Sequence, residues 1–281
     1  MSTAAIAAAP SFSSGASVQL DHLSWSGIKT YSTCPRKFFY RYIEKAPEEF
    51  VPAALAFGSA FHSALDHVHQ SLIEGAPLPP VETLLEKYGE SWKSETARAP
   101  EVLFSKTEDE KSLSELAQRM LAAYLDYIGA TGVGDNGARI IAIEHSHRFH
   151  LLADVPPIEM RLDLLELAGT DLIVSDVKTA RSRWNDQKVA ESMPQLVLYA
   201  TAMASLVKEL GAKRIVPRFL VVTKAKAPVV QVLEPMASQA DVERLKNQVF
   251  DTWAAIQAGV FVPRESWQCA QCPYKRRCLG R

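Results

Sequence analysis

Residues 160–179 read MRLDLLELAGTDLIVSDVKT, and this stretch decides the fold. Each half is rich in Leu, Ile and Val, as in a β-strand, and Gly169-Thr170 between them has the composition of a two-residue hairpin turn. Such a turn pairs Ala168 with Asp171 and fixes the register of every later pair. Both strands are apolar on both faces, which is typical of central strands that are covered on each side.

The predicted register sets Asp163 directly opposite Asp176, with Cβ atoms about 5 Å apart on one face of the hairpin. Two carboxylates so close repel each other unless a cation lies between them or one is protonated. Lys178 lies two residues beyond Asp176 and so on the same face, whereas Val177 points into apolar surroundings. The arrangement indicates a metal site with an ammonium group beside it. A solvated polar face is the alternative, although charges on covered strands are unfavourable unless they are paired.

Length and composition allow one large domain and exclude a membrane-spanning one. The 281 residues are 47% hydrophobic, enough for a single core or a core with a helical insertion. The formal net charge is −1, so a polyanionic partner would need a local basic patch. No apolar run approaches the ~18–20 residues that span a bilayer. Residues 1–20 are rich in Ala and Ser and lack signal-peptide and transit-peptide features, which predicts a disordered tail in a cytoplasmic protein.

The four cysteines form an uneven pattern: Cys34 near the start, and Cys269, Cys272 and Cys278 in a C-x2-C-x5-C motif at the end. Four thiolates suit one tetrahedral zinc ion or one iron–sulfur cluster, and either centre would join the two ends of the chain. Two disulfides are the alternative, but nothing in the sequence suggests secretion.

The segment around Cys34 predicts a helix capped by Ser24 or Ser26, broken at Cys34, and a second helix opened by Pro35. Basic and aromatic side chains then alternate. They could form a nucleic-acid surface, or the rings could pack in the core. These residues are Arg36, Lys37, Phe38, Phe39, Tyr40, Arg41 and Tyr42.

Histidine and acidic residues elsewhere supply further candidates for the site. A helix is predicted to open after Gly58 and carry His62, a metal-ligand candidate that Asp66 could orient from one turn away. His67 and His69 are expected at the surface. Residues 139–152 alternate as a strand does, and Glu144 there could supply a further acid at the edge of the site.

Three other regions complete the prediction. Residues of about 75–135 read as a helical insertion that would form a wall or lid. A basic loop of Arg181, Arg183 and Lys188 surrounds Trp184. A helix beginning at Pro194 would place Gln195 and Tyr199 on one face, two strands would follow, and a long helix would end before Gly259.

The candidate residues, taken in chain order, resemble the motifs of the PD-(D/E)XK nuclease superfamily over roughly residues 23–278, apart from the insertion. The resemblance is strongest to the RecB-like exonuclease branch whose four cysteines hold an iron–sulfur (4Fe-4S) cluster, as in AddB-type nuclease domains and CRISPR-associated exonucleases. The sequence departs from the common pattern where Leu162 replaces proline and Asp176 replaces glutamate. The motifs that carry the resemblance are His62, Asp163, Asp176-Val177-Lys178, Gln195-x3-Tyr199 and the four cysteines.

The resemblance implies an α/β fold, with a mixed central sheet flanked by helices, in one domain of residues 21–281 that ends in the cysteine motif of residues 261–281. It also implies a metal-dependent deoxyribonuclease of the exonuclease type that acts on single-stranded or frayed DNA ends. Its protein partners would belong to a repair or CRISPR complex. Its metal, Mg²⁺ or Mn²⁺, would be bound by His62, Asp163, Asp176 and the Val177 carbonyl.

The resemblance further implies that Lys178 acts on the attacking water and that Gln195 and Tyr199 contact the scissile region. Cys34, Cys269, Cys272 and Cys278 would bind the 4Fe-4S cluster, with zinc as the alternative. Two other functions stay open. One is a non-cleaving DNA-binding subunit, and the other is a structural protein stapled by zinc.

Overall fold

The computed structural model describes residues 18–131 and 138–280, so nearly all of the predicted tail lies outside the described residues. The central sheet consists of β3 (Ala138–Phe149), β4 (Ile158–Ala168), β5 (Asp171–Ala180), β6 (Arg214–Thr223) and β7 (Val230–Leu233), in that order. Strands β5 and β6 are parallel and the other neighbours are antiparallel. A separate parallel pair is formed by β1 (Val51–Pro52) and β2 (Val102–Leu103). The sheet is therefore mixed, as predicted.

Helices cover both faces of this sheet. They are α1 (Trp25–Thr33), α2 (Pro35–Phe38), α3 (Ala53–Ile73), α4 (Val81–Thr96), α5 (Glu110–Thr131), α6 (Asp186–Ala202), α7 (Ala204–Glu209), α8 (Gln239–Gln257) and α9 (Lys275–Leu279). A π-helical turn, Phe39–Ile43, extends α2, and a 3-10 turn, Trp267–Gln271, precedes α9. No helix in the described ranges is long and apolar enough to cross a membrane.

Two hydrophobic cores lie on opposite faces of the sheet. Val177 and Leu220 pack with α3, α4 and α5 on one face. Val174 and Phe219 pack with α1, α6 and α8 on the other. The central strands are apolar on both faces because each face is buried under its own group of helices.

The hairpin has the predicted register. Ala168 pairs with Asp171, Gly169 has φ of 58°, and the β4–β5 pairs continue as far as Leu164 and Ser175. Glycine tolerates this left-handed conformation without the steric penalty that a side chain would bring. The turn therefore sets the alignment of the two strands.

The N-terminal segment also follows the predicted pattern. The Ser24 side chain caps α1 by accepting from the Gly27 N–H at 3.1 Å, and Pro35 is the first residue of α2. Phe38, Phe39 and Tyr40 are all buried. The aromatic residues of this segment therefore serve the core, and a continuous nucleic-acid surface of basic and aromatic side chains is not formed.

Two helix starts differ from the prediction. Helix α3 begins at Ala53, so Gly58 lies inside it, and α6 begins after Asn185, so Pro194 lies inside it. Glycine and proline cost about 1 and 3 kcal/mol in a helix interior, but burial of apolar side chains along both helices outweighs these penalties.

His69 is the clearest correction to the sequence-based expectations, because it is buried at 1% exposure instead of lying at the surface. Its Nε2 lies 2.8 Å from the hydroxyl of Tyr124 on α5. His67 is half-buried. The packing of α5 against α3, which the local sequence does not encode, decides both environments.

The other predicted elements are present. The two helices expected in the insertion are α4 and α5, and residues 132–137 at its end lie outside the described ranges. The long C-terminal helix, α8, is capped by Ser238 in a capping box with Asp241 and is followed by Gly259 at φ of 68°. That residues of about 75–135 form an insertion within a single domain of residues 21–281 stays a prediction.

Candidate active site

The backbone pairing of β4 with β5 ends at the site, where the side chain of Asp163 accepts the next hydrogen bond from β5. Beyond the Leu164–Ser175 pair, the backbone N–H of Val177 donates to Oδ2 of Asp163 at 2.7 Å. The Asp163 carboxylate therefore lies against β5. The Val177 side chain is buried in the core on the α3 face, as its position in the pleat requires.

Asp176 and Lys178 form a buried ion pair on β5. The Lys178 Nζ lies 2.8 Å from Oδ1 and 2.6 Å from Oδ2 of Asp176, whose exposure is 1%. Burial raises the pKa of Asp176 to about 6, against the opposing effect of Lys178, and Asp163 raises it further. Burial disfavours the Lys178 ammonium, but the carboxylates of Asp176 and Asp163 outweigh burial and raise its pKa. Lys178 is thus held as a cation.

Helix α6 adds a second contact to the same carboxylate. The Gln195 Nε2 donates to Oδ1 of Asp176 at 2.8 Å and lies 2.8 Å from the Tyr199 hydroxyl, which donates to the Arg161 carbonyl at 3.1 Å. Gln195 and Tyr199 share a face of α6 because they are four residues apart. Together they tie the helix to both strands of the hairpin.

A second group of side chains lies on the other side of Asp163. One ligand atom from each of His62, Glu144 and Asp163 lies within 4.8 Å of the other two. His62 Nδ1 is 3.7 Å from Oδ2 of Asp163. Burial lowers the pKa of His62 to about 4, and Lys178 lowers it further. A neutral imidazole and two carboxylates make a donor set that suits a divalent cation.

Glu144 reaches this group through an unusual backbone. Its φ is 46°, in the left-handed region that residues with a side chain rarely adopt, and the β3–β4 register shifts between Ile140 and Ala142. Bulges and such conformations are concentrated at functional sites, where they re-aim a side chain. The Glu144 carboxylate also pairs with Arg161. The sequence placed this acid only at the edge of the site.

The predicted ligands therefore fall into two adjoining groups. His62 and Asp163 belong to the group with Glu144, whereas Asp176 faces Lys178 and Gln195. Asp163 and Asp176 still interact, since the charge of Asp163 raises the pKa of Asp176. Asp66 on α3 is close enough for Asp163 to raise its pKa, which burial brings to about 6.

An open cavity of about 410 Å³ leads to the first group. Its wall combines α3 residues, among them Gly58 and Ser59, with Glu95 of α4 and with Arg161 on β4. The carboxylates are therefore open to solvent from this side. Arg161 is largely exposed and pairs with Glu144.

Ammonium groups gather on the α1 and α6 side of the site. Partial burial lowers the pKa of Lys29 on α1, and the charges of Lys188 and Lys178 lower it further, while Asp176 and Glu191 oppose this. Lys188 pairs with Glu191 at 3.1 Å. No sequence pattern pointed to Lys29, because α1 approaches the site only in the folded chain.

The four cysteines, here called the cysteine centre, line one cavity. Cys34 lies between α1 and α2, Cys269 and Cys272 lie on the 3-10 turn and its end, and Cys278 lies on α9. Burial raises the pKa of the Cys272 and Cys278 thiols, and the neighbouring cysteines raise it further. The Ser266 N–H donates to Sγ of Cys269 at 3.4 Å.

The sulfurs of the cysteine centre do not form a close group. Among the described residues, no three of the sulfurs come within 4.8 Å of one another. A tetrahedral zinc ion with Zn–S bonds of about 2.3 Å needs neighbouring sulfurs about 3.8 Å apart. The cysteine side chains as they stand therefore do not have the spacing of a zinc site.

Direct contacts also join the N- and C-terminal segments. The Tyr31 hydroxyl donates to the Val260 carbonyl at 2.6 Å, and the Arg264 guanidinium donates to the Ser32 carbonyl at 2.5 Å. These bonds close the same long loop that the cysteine centre closes.

A solved structure is similar to this chain in fold. The crystal structure of a proposed exonuclease from Eubacterium rectale aligns with a TM-score of 0.53 at 13% identity, covering 91% of this chain and 88% of that one. The structure of SSO0001 aligns at 13% identity over 83% of this chain and 87% of that one, with a TM-score of 0.32 that is too low to indicate a shared fold. Among curated proteins, no sequence matches.

The family comparison covers nearly the whole chain. A family model described as the PD-(D/E)XK nuclease superfamily matches residues 22–279, which include the hairpin, His62, Glu144, α6 and all four cysteines. The mixed sheet and the acidic group on it agree with that match. This chain belongs to the PD-(D/E)XK nuclease superfamily.

Proposed function

We propose that this protein is a metal-dependent deoxyribonuclease of the RecB-like branch, and that it acts as an exonuclease on single-stranded or frayed DNA ends. One observation carries the proposal. Asp163, Asp176 and Lys178 lie on two adjoining strands, with His62 and Glu144 facing Asp163. A module that only binds DNA has no need for buried carboxylates, a lysine and an imidazole in this arrangement.

The donor set suits Mg²⁺ or Mn²⁺. His62, Glu144 and Asp163 would hold the ion, with Asp176 and the Val177 carbonyl completing its surroundings on the β5 side. Carboxylate oxygens favour both metals, and the imidazole shifts the preference toward Mn²⁺. When bound, the ion neutralises charge on the phosphate and acidifies a coordinated water.

Lys178 acts in this proposal as a fixed cation. Its raised pKa keeps the amine protonated, so it orients the attacking water and offsets negative charge on the phosphate in the transition state. Gln195 and Tyr199 keep the Asp176 carboxylate in place and contact the scissile region. The site is organised before substrate arrives, which reduces the reorganisation required during the reaction.

Lys29 and Lys188 would contact DNA phosphates beside the scissile bond. The mutual repulsion that lowers the pKa of Lys29 would be relieved by a polyanion. Because the net charge of the chain is −1, this local patch has to supply the attraction.

For the cysteine centre we propose a 4Fe-4S cluster, with zinc as the alternative. Four cysteines on one cavity supply the ligands, and the resemblance to the RecB-like branch favours iron–sulfur over zinc. The centre joins the end of α1 to the C-terminal motif. It would thereby hold the helix that carries Lys29 beside the active site.

The test uses linear DNA labelled at one end, with the 5′ or the 3′ end blocked in turn, in Mg²⁺ or Mn²⁺ and in EDTA. We expect metal-dependent digestion from an open end, and its loss in Asp176→Ala. Asp251→Ala is the matched control, because Asp251 is exposed on α8. Asp176→Ala protein that digests DNA at the parental rate would overturn the assignment. Binding without cleavage by the parental protein would favour a non-catalytic DNA-binding subunit.

A further inference from the structure

Arg36 lies in the wall of the cysteine cavity with part of its guanidinium unsatisfied. It is the second residue of α2, two positions after Cys34, and it lines the same cavity as the four cysteines. Its Nε is buried and has no hydrogen-bond partner among the described residues. The guanidinium lies over the Tyr40 ring, with its carbon 5.9 Å from the ring centre.

A buried N–H without a partner is rare, because it loses its hydrogen bonds to water and gains nothing in return. The loss is larger for a charged group such as guanidinium. Thiolates and inorganic sulfides are anionic acceptors and would remove this penalty. The unsatisfied Nε–H is therefore available to donate a hydrogen bond to an anionic group bound in the cavity.

The charges around the cavity agree with an anionic occupant. The basic residues Arg36, Lys37 and Lys275 line the same cavity as the four cysteines. Together they would offset part of the negative charge of four thiolates and their cluster.

We infer that the Arg36 Nε–H donates a hydrogen bond to a sulfur of the cluster bound at the cysteine centre, and that this bond sets the reduction potential and retention of the cluster. The inference rests on the proposed 4Fe-4S cofactor. Hydrogen bonds to the sulfurs stabilise the more negative, reduced state more than the oxidised state, so they raise the reduction potential. Contacts of this kind to the atoms that hold a metal are worth about 10–100-fold in its retention.

The experiment compares Arg36→Met, Arg36→Lys and the control Arg41→Met in protein purified anaerobically. Arg41 also stacks on a tyrosine, Tyr42 at 5.7 Å, but it does not line the cavity. We measure iron and sulfide per chain, the reduction potential by a titration followed by electron paramagnetic resonance, and the rate of iron release to a chelator. None of these readouts depends on nuclease activity.

For Arg36→Met we expect a more negative potential and about tenfold faster iron release than in Arg41→Met. Arg36→Lys keeps the charge but lacks Nε, so its potential should also fall, by a smaller amount. If Arg36→Met does not fold, the comparison of Arg36→Lys with the parental protein decides the question.

Each outcome has a distinct meaning. Zinc without iron in the parental protein would overturn the proposed cofactor, and the inference with it. Iron in the parental protein with an unchanged potential and release rate in both Arg36 variants would overturn only the inference. A shift in Arg36→Met with none in Arg36→Lys would show that charge alone acts, which contradicts the assigned hydrogen bond.

Discussion

The active-site hairpin and the cysteine centre are assembled in opposite ways. Asp163, Asp176 and Lys178 come from one hairpin whose turn sets the register of the strand pairs that lead to them. The cysteines come from opposite ends of the chain and meet only after the whole domain has folded. A local hairpin can therefore position the carboxylates, whereas the cysteine cavity depends on long-range packing.

The two regions also differ in how far the protein alone compensates their buried polar atoms. Oδ2 of Asp176 accepts no hydrogen bond, but it lies 2.6 Å from the Lys178 ammonium, and Oδ1 accepts from Lys178 and Gln195. The Arg36 Nε–H in the cysteine cavity has neither a hydrogen-bond acceptor nor an ion-pair partner among the described residues. We therefore expect the hairpin to keep its structure without metal, and the cysteine centre to depend on its cofactor.

The largest expected effect is on the hairpin. Lys178→Ala should reduce DNA cleavage by about 10²–10³-fold, because it removes a fixed cation that stabilises the transition state. Rates of digestion are measured under single-turnover conditions, with circular dichroism to check the fold. Lys226→Ala, an exposed lysine after β6, is the control and should match the parental rate. Full activity of Lys178→Ala in Mn²⁺ would mean that the hairpin is not the catalytic site.

The second effect is on the cysteine centre. Cys34→Ser should lower the free energy of unfolding by about 2–4 kcal/mol, since a cross-link over a loop this long contributes up to about 5 kcal/mol. The direct bonds from Tyr31 and Arg264 across the same loop keep the loss below that limit. Denaturant unfolding of Cys34→Ser is compared with that of Thr33→Ser. Equal stability of the two variants would show that the centre does not staple the chain.

The third effect is a pH dependence that originates in neither region. Burial lowers the pKa of His69 to about 4 from an ordinary value near 6.5, so the unfolded chain binds a proton more readily than the fold does. The contribution of neutral His69 to the free energy of unfolding is complete above pH 6.5. This contribution is lost as the pH falls toward 4, and the loss is about 3 kcal/mol at most.

His69→Gln should remove this part of the pH dependence, since glutamine can still hydrogen-bond to Tyr124 and does not titrate. Unfolding free energies are measured between pH 4 and 7, with exposed His150→Gln as the control. A slope in His69→Gln that equals the parental slope would assign the acid sensitivity to other groups.

The smallest effect concerns Lys29, on the helix that connects the two regions. Lys29→Ala should weaken DNA binding a fewfold and reduce the slope of log affinity against log salt concentration by about 1, as expected for one lost phosphate contact. Lys208→Ala, an exposed lysine on α7, is the control. If Cys34→Ser reproduces the Lys29→Ala effect, the cysteine centre positions α1 for DNA. An unchanged salt slope in Lys29→Ala would place the phosphate contact elsewhere.

Local patterns in the sequence determined the hairpin and most helices. Gly169 allows the tight turn, and the turn sets the register as far as the Leu164–Ser175 pair, next to Asp163 and Asp176. The Ser24 and Ser238 caps are likewise readable, because a capping side chain bonds to the backbone within its own turn. Interactions between residues close in sequence need no knowledge of the remaining chain.

Only the tertiary structure decided the rest. It aimed Glu144 at His62 through a left-handed residue on β3, buried His69 under α5, and continued α3 through Gly58 and α6 through Pro194. For the two helices, burial of apolar side chains against distant elements supplied more free energy than the local backbone preference opposed. The same packing brought Cys34 to the other three cysteines and left the Arg36 Nε–H unsatisfied beside them.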